Sequence, residues 1–445
     1  MLSRNDFYPL WRLAIPLVLS GLVESSLGLT NTLFLSRLGP ADLAAGALVI
    51  WFFCTLMVIV WGVFSGVSVL VSHRYGAEDA RGIAAILRDA IWLAILLAIP
   101  LFILTWNLAP VFIWFGQSPQ MISKAIPYMH ALAFAVFPDL VGLTLMQFLI
   151  GLGKTRTNLF FSLIWVPLSI FFNYALMFGA WGFPALGVAG LGWGACISFW
   201  ITSLGLGIYL FLHPAYRRYW RLLKIFAKVQ HIWELTKVGL PMGLMYSLEI
   251  GYFFTLSLMM GKIGLDQLDG NQIALQYLGF LSTFSFSMAQ AITVRMGHEL
   301  GAKNPSIAHR AALSGMITAF CFMSLIAVVY WVFPLFLIGL DFNIAELNRP
   351  ELVRSAEKFL AVMGIFQLLE SIRLTLFGTL RAHKDTKFTL MTTVFCFWGI
   401  ALPMGYYLAK HSFIGPVGFW WAASLGALIN IFLLSFRYQK IRQKQ

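Results

Sequence analysis

Charged residues are scarce in this chain. Asp, Glu, Lys and Arg together make up 11% of its 445 residues, whereas soluble domains carry about 25%. Hydrophobic residues make up 60%, and apolar stretches of roughly 20 residues, each long enough to cross a hydrocarbon core of about 30 Å, recur from end to end. The strands of an outer-membrane barrel would instead give shorter segments of alternating polarity. The composition excludes a soluble domain and predicts an all-α polytopic membrane protein.

The chain also lacks the residue patterns of metal, redox and nucleotide chemistry. Its eight histidines include no His-Glu-x-x-His motif and no neighbouring acidic cluster that would hold a metal. The stretch GLGKT at 151–155 is similar to a phosphate-binding loop, but Phe148 stands where such a loop has its first glycine. The four cysteines lie inside apolar segments without metal-ligand or redox spacing: Cys54, Cys196, Cys321 and Cys396. We therefore expect no catalytic residues, no cofactor, no structural metal and no enzymatic activity.

Twelve apolar segments follow one another along the chain. An even number of membrane spans places both termini on the same side of the membrane. The predicted spans lie near 11–37, 43–72, 84–110, 123–150, 158–179, 186–212, 237–262, 270–294, 309–337, 353–380, 387–409 and 416–436.

Lys and Arg are distributed unevenly between the two ends of these spans. Of the 31 basic residues, 23 lie in the termini and even-numbered loops, 7 lie in the odd-numbered loops, and Arg373 lies inside a span. Because cytoplasmic loops carry the excess of Lys and Arg, both termini are predicted to be cytoplasmic, in a multi-pass protein of the inner (plasma) membrane. The net charge of +13 is then a topology signal that also attracts anionic membrane lipid, and no nucleic-acid partner is expected.

The longest polar connection follows the sixth span. In HPAYRRYWRLLKIFAKVQHIWELTK (213–237) the apolar residues recur at helical spacing between basic ones, which predicts an amphipathic helix on the cytoplasmic surface. The predicted organisation is an N-terminal six-helix bundle (1–212), a cytoplasmic amphipathic linker (213–236) and a C-terminal six-helix bundle (237–445).

The two halves repeat one another. IPLVLSGLVESSLGLTNTLFLSRLG (15–39) aligns without a gap to LPMGLMYSLEIGYFFTLSLMMGKIG (240–264), so that Pro16 meets Pro241 and Glu24 meets Glu249, at a constant offset of 225 in the numbering. Equivalent positions are separated by six spans and so begin on the same side of the membrane. This predicts a parallel repeat with a pseudo-two-fold axis along the membrane normal, an arrangement found in transporters.

Four acidic residues lie inside spans at equivalent positions of the repeat. DLVGLTL (139–145) aligns with ESIRLTL (370–376), so Asp139 meets Glu370. The offset here is 231, so the second half has extra residues, which we place near 338–352. A charge at the centre of a lipid-facing helix costs roughly 2.5–3.5 kcal/mol. The acids Glu24, Asp139, Glu249 and Glu370 must therefore face one another, a basic partner or a water-filled cavity, and a purely structural role remains an alternative for each.

Several motifs resemble the multidrug and toxic compound extrusion (MATE) family, NorM-like branch. They are PMGLMYSLEIGYFFTLSLMMGKIG (241–264), NQIALQYLGFLSTFSFSMAQAITVRMGHELGAKNP (271–305), FQLLESIRLTLFGTLRAHKDT (366–386), GLGKTRTN (151–158) and LGVAGLGWGACIS (186–198). The resemblance covers nearly the whole chain and includes the twelve-span plan. It implies a secondary active antiporter that exports amphipathic, often cationic drugs in exchange for protons or sodium by alternating access.

The resemblance also points to particular residues. The family's acidic residues in spans 7 and 10 fall on Glu249 and Glu370, which become the predicted cation-coupling and substrate-binding residues. Arg373 is unexpected: it follows Glu370 by three residues, on the same helix face, where it would act as an internal counter-ion.

The first half departs from the family pattern. Asn31 stands where many prokaryotic members have an aspartate, and Asn173 matches an asparagine of sodium-binding members, but Met177 replaces the acid that some of them carry one turn later. We hypothesise that Glu24, seven residues before Asn31, lines a cavity and partly replaces the missing aspartate, with Asp139 or Asn173 within reach.

Methionine and aromatic residues surround Glu249 in the sequence. Such side chains repack around different ligands and attract cations, although they are common throughout this chain. The candidates for lining a substrate pocket are Met242, Met245, Tyr246, Tyr252 and Phe253.

The choice of coupling ion follows from the carboxylates. Burial disfavours the charged form of a carboxylate, so a proton and a cationic drug would compete for one site. Sodium would need several hard oxygen ligands, which Glu249, Glu370 and Ser247 supply only in part, and the first half lacks acids at 31 and 177. We therefore expect proton coupling, with sodium as the alternative.

Two other functions are compatible with a polytopic membrane protein. An exporter or flippase for a lipid-linked or polysaccharide precursor of the same superfamily is the nearest alternative, and a channel would need a filter motif that the sequence does not show. The expected partners are small amphipathic drugs and membrane lipid, and the chain is expected to be a monomer.

Overall fold

A computed structural model describes residues 4–223, 227–341, 350–412 and 414–444. Within these ranges the chain forms sixteen α-helices and no β-strand. The first eight helices are α1 (Arg4–Leu38), α2 (Pro40–Gly76), α3 (Ala80–Trp106), α4 (Ala109–Trp114), α5 (Pro119–Gly151), α6 (Thr155–Phe178), α7 (Val188–Leu212) and α8 (Pro214–Leu222).

The second half of the chain contains the other eight helices. A π-helical segment, Val394–Ala401, joins two of them, so that 386–411 form one interrupted helix. The eight helices are α9 (Ile232–Ile263), α10 (Leu265–Gly301), α11 (Pro305–Val332), α12 (Pro334–Asp341), α13 (Pro350–Ala382), α14 (Thr386–Thr393), α15 (Leu402–His411) and α16 (Gly418–Arg442).

Eleven helical segments of the described chain are long and apolar enough to cross a membrane. The twelfth long helix is α10, whose first two turns carry Asp266, Asp269 and Asn271; it has the same length, 37 residues, as α2. The predicted all-α plan of twelve long helices in two sets of six is therefore confirmed.

Two predicted spans were too long at their carboxyl ends. Span 3 was predicted to reach residue 110 and span 9 to reach 337, but α3 ends at Trp106 and α11 at Val332. In both cases a short second helix follows, α4 or α12, with a proline in its first turn. Proline fits there because its missing N–H would have no intrahelical partner, so it begins a new helix at small cost.

The chain divides into two compact units. The N-terminal unit comprises Ile15–Leu240, and the C-terminal unit comprises Pro241–Gln445 together with Met1–Ala14. This division differs from the predicted boundaries at the amino terminus because the start of α1 belongs to the C-terminal unit. There Arg310 Nε lies 3.5 Å from Asp6 Oδ1, and Leu10 is fully buried.

The predicted linker also packs as part of a unit, the N-terminal one. The amphipathic helix is shorter than predicted: α8 ends at Leu222, with Tyr219 buried against Phe148 at a ring distance of 5.8 Å. Further along, Asp89 Oδ2 accepts hydrogen bonds from the backbone N–H groups of Gln230 (2.9 Å) and His231 (2.8 Å). These bonds fix the backbone just before α9 begins at Ile232. Residues 224–226 of the predicted helix lie outside the described residues.

The internal repeat is visible in the bounds of the helices. At an offset of 225 the ends of α1 and α2 coincide with the ends of α9 and α10, and at an offset of 231 both ends of α5 coincide with those of α13. Left-handed backbone recurs at the same offsets, at Glu78 (φ 55°) and Lys303 (φ 60°), and at Gly153 (φ 73°) and Lys384 (φ 61°). The offset changes between α12 and α13, as a longer loop near 338–352 requires; residues 342–349 of that loop lie outside the described ranges.

Helix α13 is held firmly against α10. Gly378 lets the two backbones approach, since a Cβ at this position would lie 2.9 Å from Ala289 Cα. Thr293 Oγ1 donates a hydrogen bond to the Gly378 carbonyl at 2.8 Å and accepts one from Arg381 Nε at 2.9 Å. This packing fixes the axial position of α13, which carries Glu370 and Arg373.

Candidate functional site

The C-terminal unit brings Glu249, Glu370 and Arg373 together. Arg373 Nε donates to Glu370 Oε2 at 2.8 Å, and its Nη2 donates both to Glu370 Oε1 and to Glu249 Oε1. Only 1% of the arginine side chain is exposed, against 11% for Glu249 and 5% for Glu370. Two carboxylates from α9 and α13 therefore meet one guanidinium in the interior of the unit.

One carboxylate oxygen of this cluster is left over. Glu249 Oε2 is buried and has no hydrogen-bond partner among the described residues, whereas the other three carboxylate oxygens contact Arg373. With both acids ionised, the three groups carry a net charge of −1. A single proton or one positive charge at Glu249 would neutralise the cluster, and burial of an uncompensated charge favours that neutralisation.

The π-helical segment contacts this cluster at two points, and its residues are not among the predicted site residues. The guanidinium of Arg373 lies 5.1 Å from the centre of the Phe397 ring, and Trp398 Nε1 donates to the Leu248 carbonyl at 3.0 Å, next to Glu249. A regular helix would turn these two neighbouring side chains further apart. π-Helical turns occur often at functional sites. In the sequence, the run VFCFWGIA (394–401) is recognisable only as rich in aromatic residues, and its pattern does not indicate a π-helix.

The predicted pocket-lining residues lie mostly in the packed interior. Met242, Met245 and Tyr252 are fully buried, and Tyr252 packs in the same apolar cluster as Phe397. Tyr246 and Phe253 are partly buried. Of these five side chains, only Tyr246 and Phe253 keep accessible surface of note.

The N-terminal unit places its polar residues along the α1–α6 contact. Ser162 Oγ donates to Glu24 Oε1 at 2.8 Å, and Asn173 Nδ2 donates to Asn31 Oδ1 at 3.0 Å. Glu24 itself is exposed, unlike Glu249. Glu24 is therefore bonded to Ser162, which is not among the predicted site residues, and Asn173 is bonded to Asn31.

Asp139 lies apart from this row, on α5. It is buried, and the side chain of Trp61 on α2 hydrogen-bonds to it. This contact joins α5 to α2. Met177 is buried in an apolar cluster with Leu35 and Leu191.

The two units differ at the repeat position that Arg373 occupies in the C-terminal unit. Arg373 corresponds to Gly142 at the offset of 231 that relates α5 to α13. A Cβ at Gly142 would meet Ser203 Oγ, and Ser203 in turn donates to the Pro138 carbonyl at 2.5 Å. Close helix packing takes the place of the guanidinium here, so α5 has no arginine at the position that corresponds to Arg373. In the residues that the structure describes, no three His, Cys, Asp or Glu side chains are grouped as a metal site requires.

Long helices in two repeated sets, with ionisable side chains converging inside the spans, are the architecture of a secondary transporter. The chain belongs to the MatE family, whose profile matches residues 16–175 and 241–407. This confirms the resemblance noted in the sequence. The family consists of transporters, and the chain is not an enzyme.

Individual relatives agree with this assignment. The chain is 30% identical over 428 residues to "Multidrug resistance protein NorM" of Burkholderia vietnamiensis, an alignment that covers 96% of this chain and 92% of the relative. It is 31% identical over 437 residues to "Probable multidrug resistance protein NorM" of Pseudomonas putida, with 98% and 94% covered.

Solved structures share the fold. The crystal structure of a MATE protein in complex with MaL6 matches with a TM-score of 0.88 at 20% identity, covering 99% of this chain and 97% of that one. A MOP superfamily transporter from Pyrococcus furiosus matches with a TM-score of 0.87 at 19% identity, covering 98% and 96%. At these identities the match concerns the fold alone.

Proposed function

We propose that this protein is a multidrug efflux antiporter of the inner membrane that exports amphipathic, often cationic compounds in exchange for protons by alternating access. The relatives named as multidrug resistance proteins support the substrate class. The observation that carries the proposal is the buried pair of carboxylates, Glu249 and Glu370, with one oxygen of Glu249 left without a partner among the described residues.

Exchange follows from competition at this pair. An ionised Glu249 attracts a cationic compound, and a protonated Glu249 releases it, because the cluster then carries no net charge. Binding from one side of the membrane and release to the other therefore require that a proton moves in the opposite direction. Partly buried aromatic side chains, Tyr246 and Phe253, would supply faces that attract a cation and accommodate different ring systems.

The arrangement favours protons over sodium. Sodium needs several oxygen ligands in a compact shell, but three of the four carboxylate oxygens already accept hydrogen bonds from Arg373. A metal cation would also meet the positive guanidinium at close range. A proton needs only one oxygen, and Glu249 Oε2 offers it.

Efflux from proteoliposomes tests the proposal. The purified protein is reconstituted with a fluorescent cationic compound inside the vesicles, and a proton gradient or a sodium gradient is imposed in separate experiments. We expect efflux with the proton gradient alone. Efflux driven only by sodium would overturn the proton coupling, and no efflux of any drug, combined with unchanged drug sensitivity of cells, would favour the lipid-linked precursor exporter.

A further inference from the structure

Arg373 holds the two acids of the cluster unequally. It is joined to Glu370 by two hydrogen bonds, Nε to Oε2 at 2.8 Å and Nη2 to Oε1, and both residues lie on α13, three residues apart. Glu249 comes from another helix and receives one hydrogen bond from Arg373, from the same Nη2. Its carboxylate also lies within hydrogen-bonding reach of the Glu370 carboxylate. A two-bond, planar contact is the stronger kind of arginine–carboxylate pair, so Glu370 is the acid that Arg373 neutralises.

The other buried arginine of α13, Arg381, is bonded to neither of these acids. Arg381 Nε donates to Thr293 Oγ1 at 2.9 Å and Nη2 donates to Gln290 Oε1, and its guanidinium also bonds to the Tyr246 hydroxyl. None of these partners is a carboxylate. Of these two buried arginines, only Arg373 is therefore bonded to the acids of the site.

We propose that Arg373 is the specificity-determining residue of this site: by neutralising Glu370 it leaves Glu249 as the only acid that binds one proton or one positive charge, and so selects singly charged over doubly charged cations. The inference rests on the proposed function and assigns different roles to the two acids that the function uses. Gly142 stands at the equivalent position of the first repeat, so this device belongs to the second repeat only.

The selection follows from repulsion as much as from attraction. A singly charged cation pairs with Glu249 at the unbonded Oε2 and neutralises the excess charge. The second charge of a dication would face the guanidinium of Arg373, and like charges repel strongly where water is excluded. Discrimination by an unfavourable contact with the wrong ligand is a common basis of specificity.

Four variants separate the effect of the cluster's net charge from effects on folding. R373Q changes the net charge of the cluster to −2, R373K leaves it at −1, E370Q makes it zero, and the double variant E370Q/R373Q returns it to −1 with Glu249 as the only acid. The double variant also removes a buried ion pair as a unit, which destabilises a protein less than removal of one partner. Ethidium and propidium serve as probes because they share a phenanthridinium ring and carry one and two positive charges.

Affinities of each folded variant for the two dyes are measured by fluorescence, with folding checked by size-exclusion chromatography. We expect R373Q to shift the affinity ratio towards propidium by about tenfold or more, as one added charge in a low-dielectric site would do. R373K should keep the wild-type ratio. E370Q should lose ethidium binding, because Arg373 then neutralises Glu249, and E370Q/R373Q should regain it.

Two results would overturn the inference. One is a folded R373Q protein with the wild-type ratio of affinities. The other is a double variant that binds ethidium no better than E370Q, because that outcome means that Glu370 contacts the cation directly. The comparison of E370Q with the double variant also tests the role of Arg373 if R373Q does not fold. The proposed function fails separately, if E249Q retains proton-coupled efflux.

Discussion

Glu24 and Glu249 occupy equivalent positions in the two repeats but differ in their surroundings. Glu249 is buried and bonded to a guanidinium, whereas Glu24 is exposed and bonded to the hydroxyl of Ser162. An exposed carboxylate in the middle of a span would cost roughly 2.5–3.5 kcal/mol if it faced lipid, so a water-filled surrounding is the cheaper one. The two acids are therefore expected to respond differently to the same substitution.

Glu249→Gln should abolish proton-coupled efflux while the protein still folds and inserts. An amide has nearly the same shape as the carboxylate and can accept the bond from Arg373, but it cannot alternate between a charged and a neutral form. Efflux under an imposed proton gradient should fall to the level of empty vesicles. Glu299→Gln is the matched control, because Glu299 is paired with Arg295 at 2.8 Å and lies outside the cluster. Near-normal coupled transport by the Glu249 variant would refute its assignment.

Glu24→Gln tests whether the first repeat contributes to coupling. If Glu24 lines a cavity and partly replaces the missing acid at Asn31, its ionisation should affect transport, so the variant should change the pH profile of efflux or the range of cations exported. Ser162→Ala is the companion variant, since it removes the hydrogen bond and keeps the carboxylate. A folded Glu24 variant with unchanged activity between about pH 6 and 8 would show a structural role only, and coupling would then reside in the C-terminal unit.

At the scale of single elements, α13 depends on glycine to reach its position. The absence of a side chain at Gly378 allows α10 and α13 to pack backbone to backbone, and the Thr293 hydroxyl bridges them at that point. Within the preceding turns of α13 lie Glu370 and Arg373. The π-helical segment 394–401 completes the surroundings of the cluster with Phe397 and Trp398.

Gly378→Ala should destabilise the protein through overpacking, by roughly 1–3 kcal/mol. The added methyl group would lie within 2.9 Å of Ala289 backbone atoms, which cannot move aside as a flexible side chain would. Thermal unfolding in detergent measures the effect. Gly279→Ala in α10 is the control, because a Cβ there has no atom within 4 Å; it should leave the melting temperature unchanged or raise it slightly. Equal melting temperatures for both variants would contradict the packing argument.

At the scale of the whole molecule, the two repeats share a helical plan but differ in their polar residues. Helix bounds and left-handed residues recur at offsets of 225 and 231. The asparagine pair, Asn31 with Asn173, has no counterpart in the second repeat, where the aligned positions are Leu256 and Met404. Arg373 has none in the first. Duplication thus explains the fold, while separate divergence of the halves explains why they present different polar sites.

The distribution of Lys and Arg predicts that α8 faces the cytoplasm. A cysteine introduced at the exposed Arg217, in a background without the four native cysteines, should resist labelling by an impermeant maleimide added to intact cells. A cysteine at the exposed Gln120, between α4 and the body of α5, should be labelled and provides the positive control. Ready labelling at position 217 from outside would reverse the proposed orientation of the chain.

Much of the fold can be predicted from patterns that are recognisable in the sequence. Apolar length determines the spans, since each must cover a hydrocarbon core, and the internal alignment determines the repeat. Glu24, Asp139, Glu249 and Glu370 could be found because a charge in an apolar run is costly unless it is paired or hydrated. Helix ends were less predictable at α3 and α11, where an apolar run continues through a break into a second, short helix.

Which of these acids meet, and what lies between them, depends on how the helices pack in three dimensions. The spacing of three residues predicts that Arg373 lies on the same face of its helix as Glu370. Glu249 is 124 residues away from Arg373 in the sequence, so their contact depends on how α9 and α13 pack. The same holds for Ser162 beside Glu24 and for Phe397 beside Arg373. Periodicity reports the face on which a side chain lies, whereas its partner on another helix depends on the close fit of whole helices, which no single run of residues encodes.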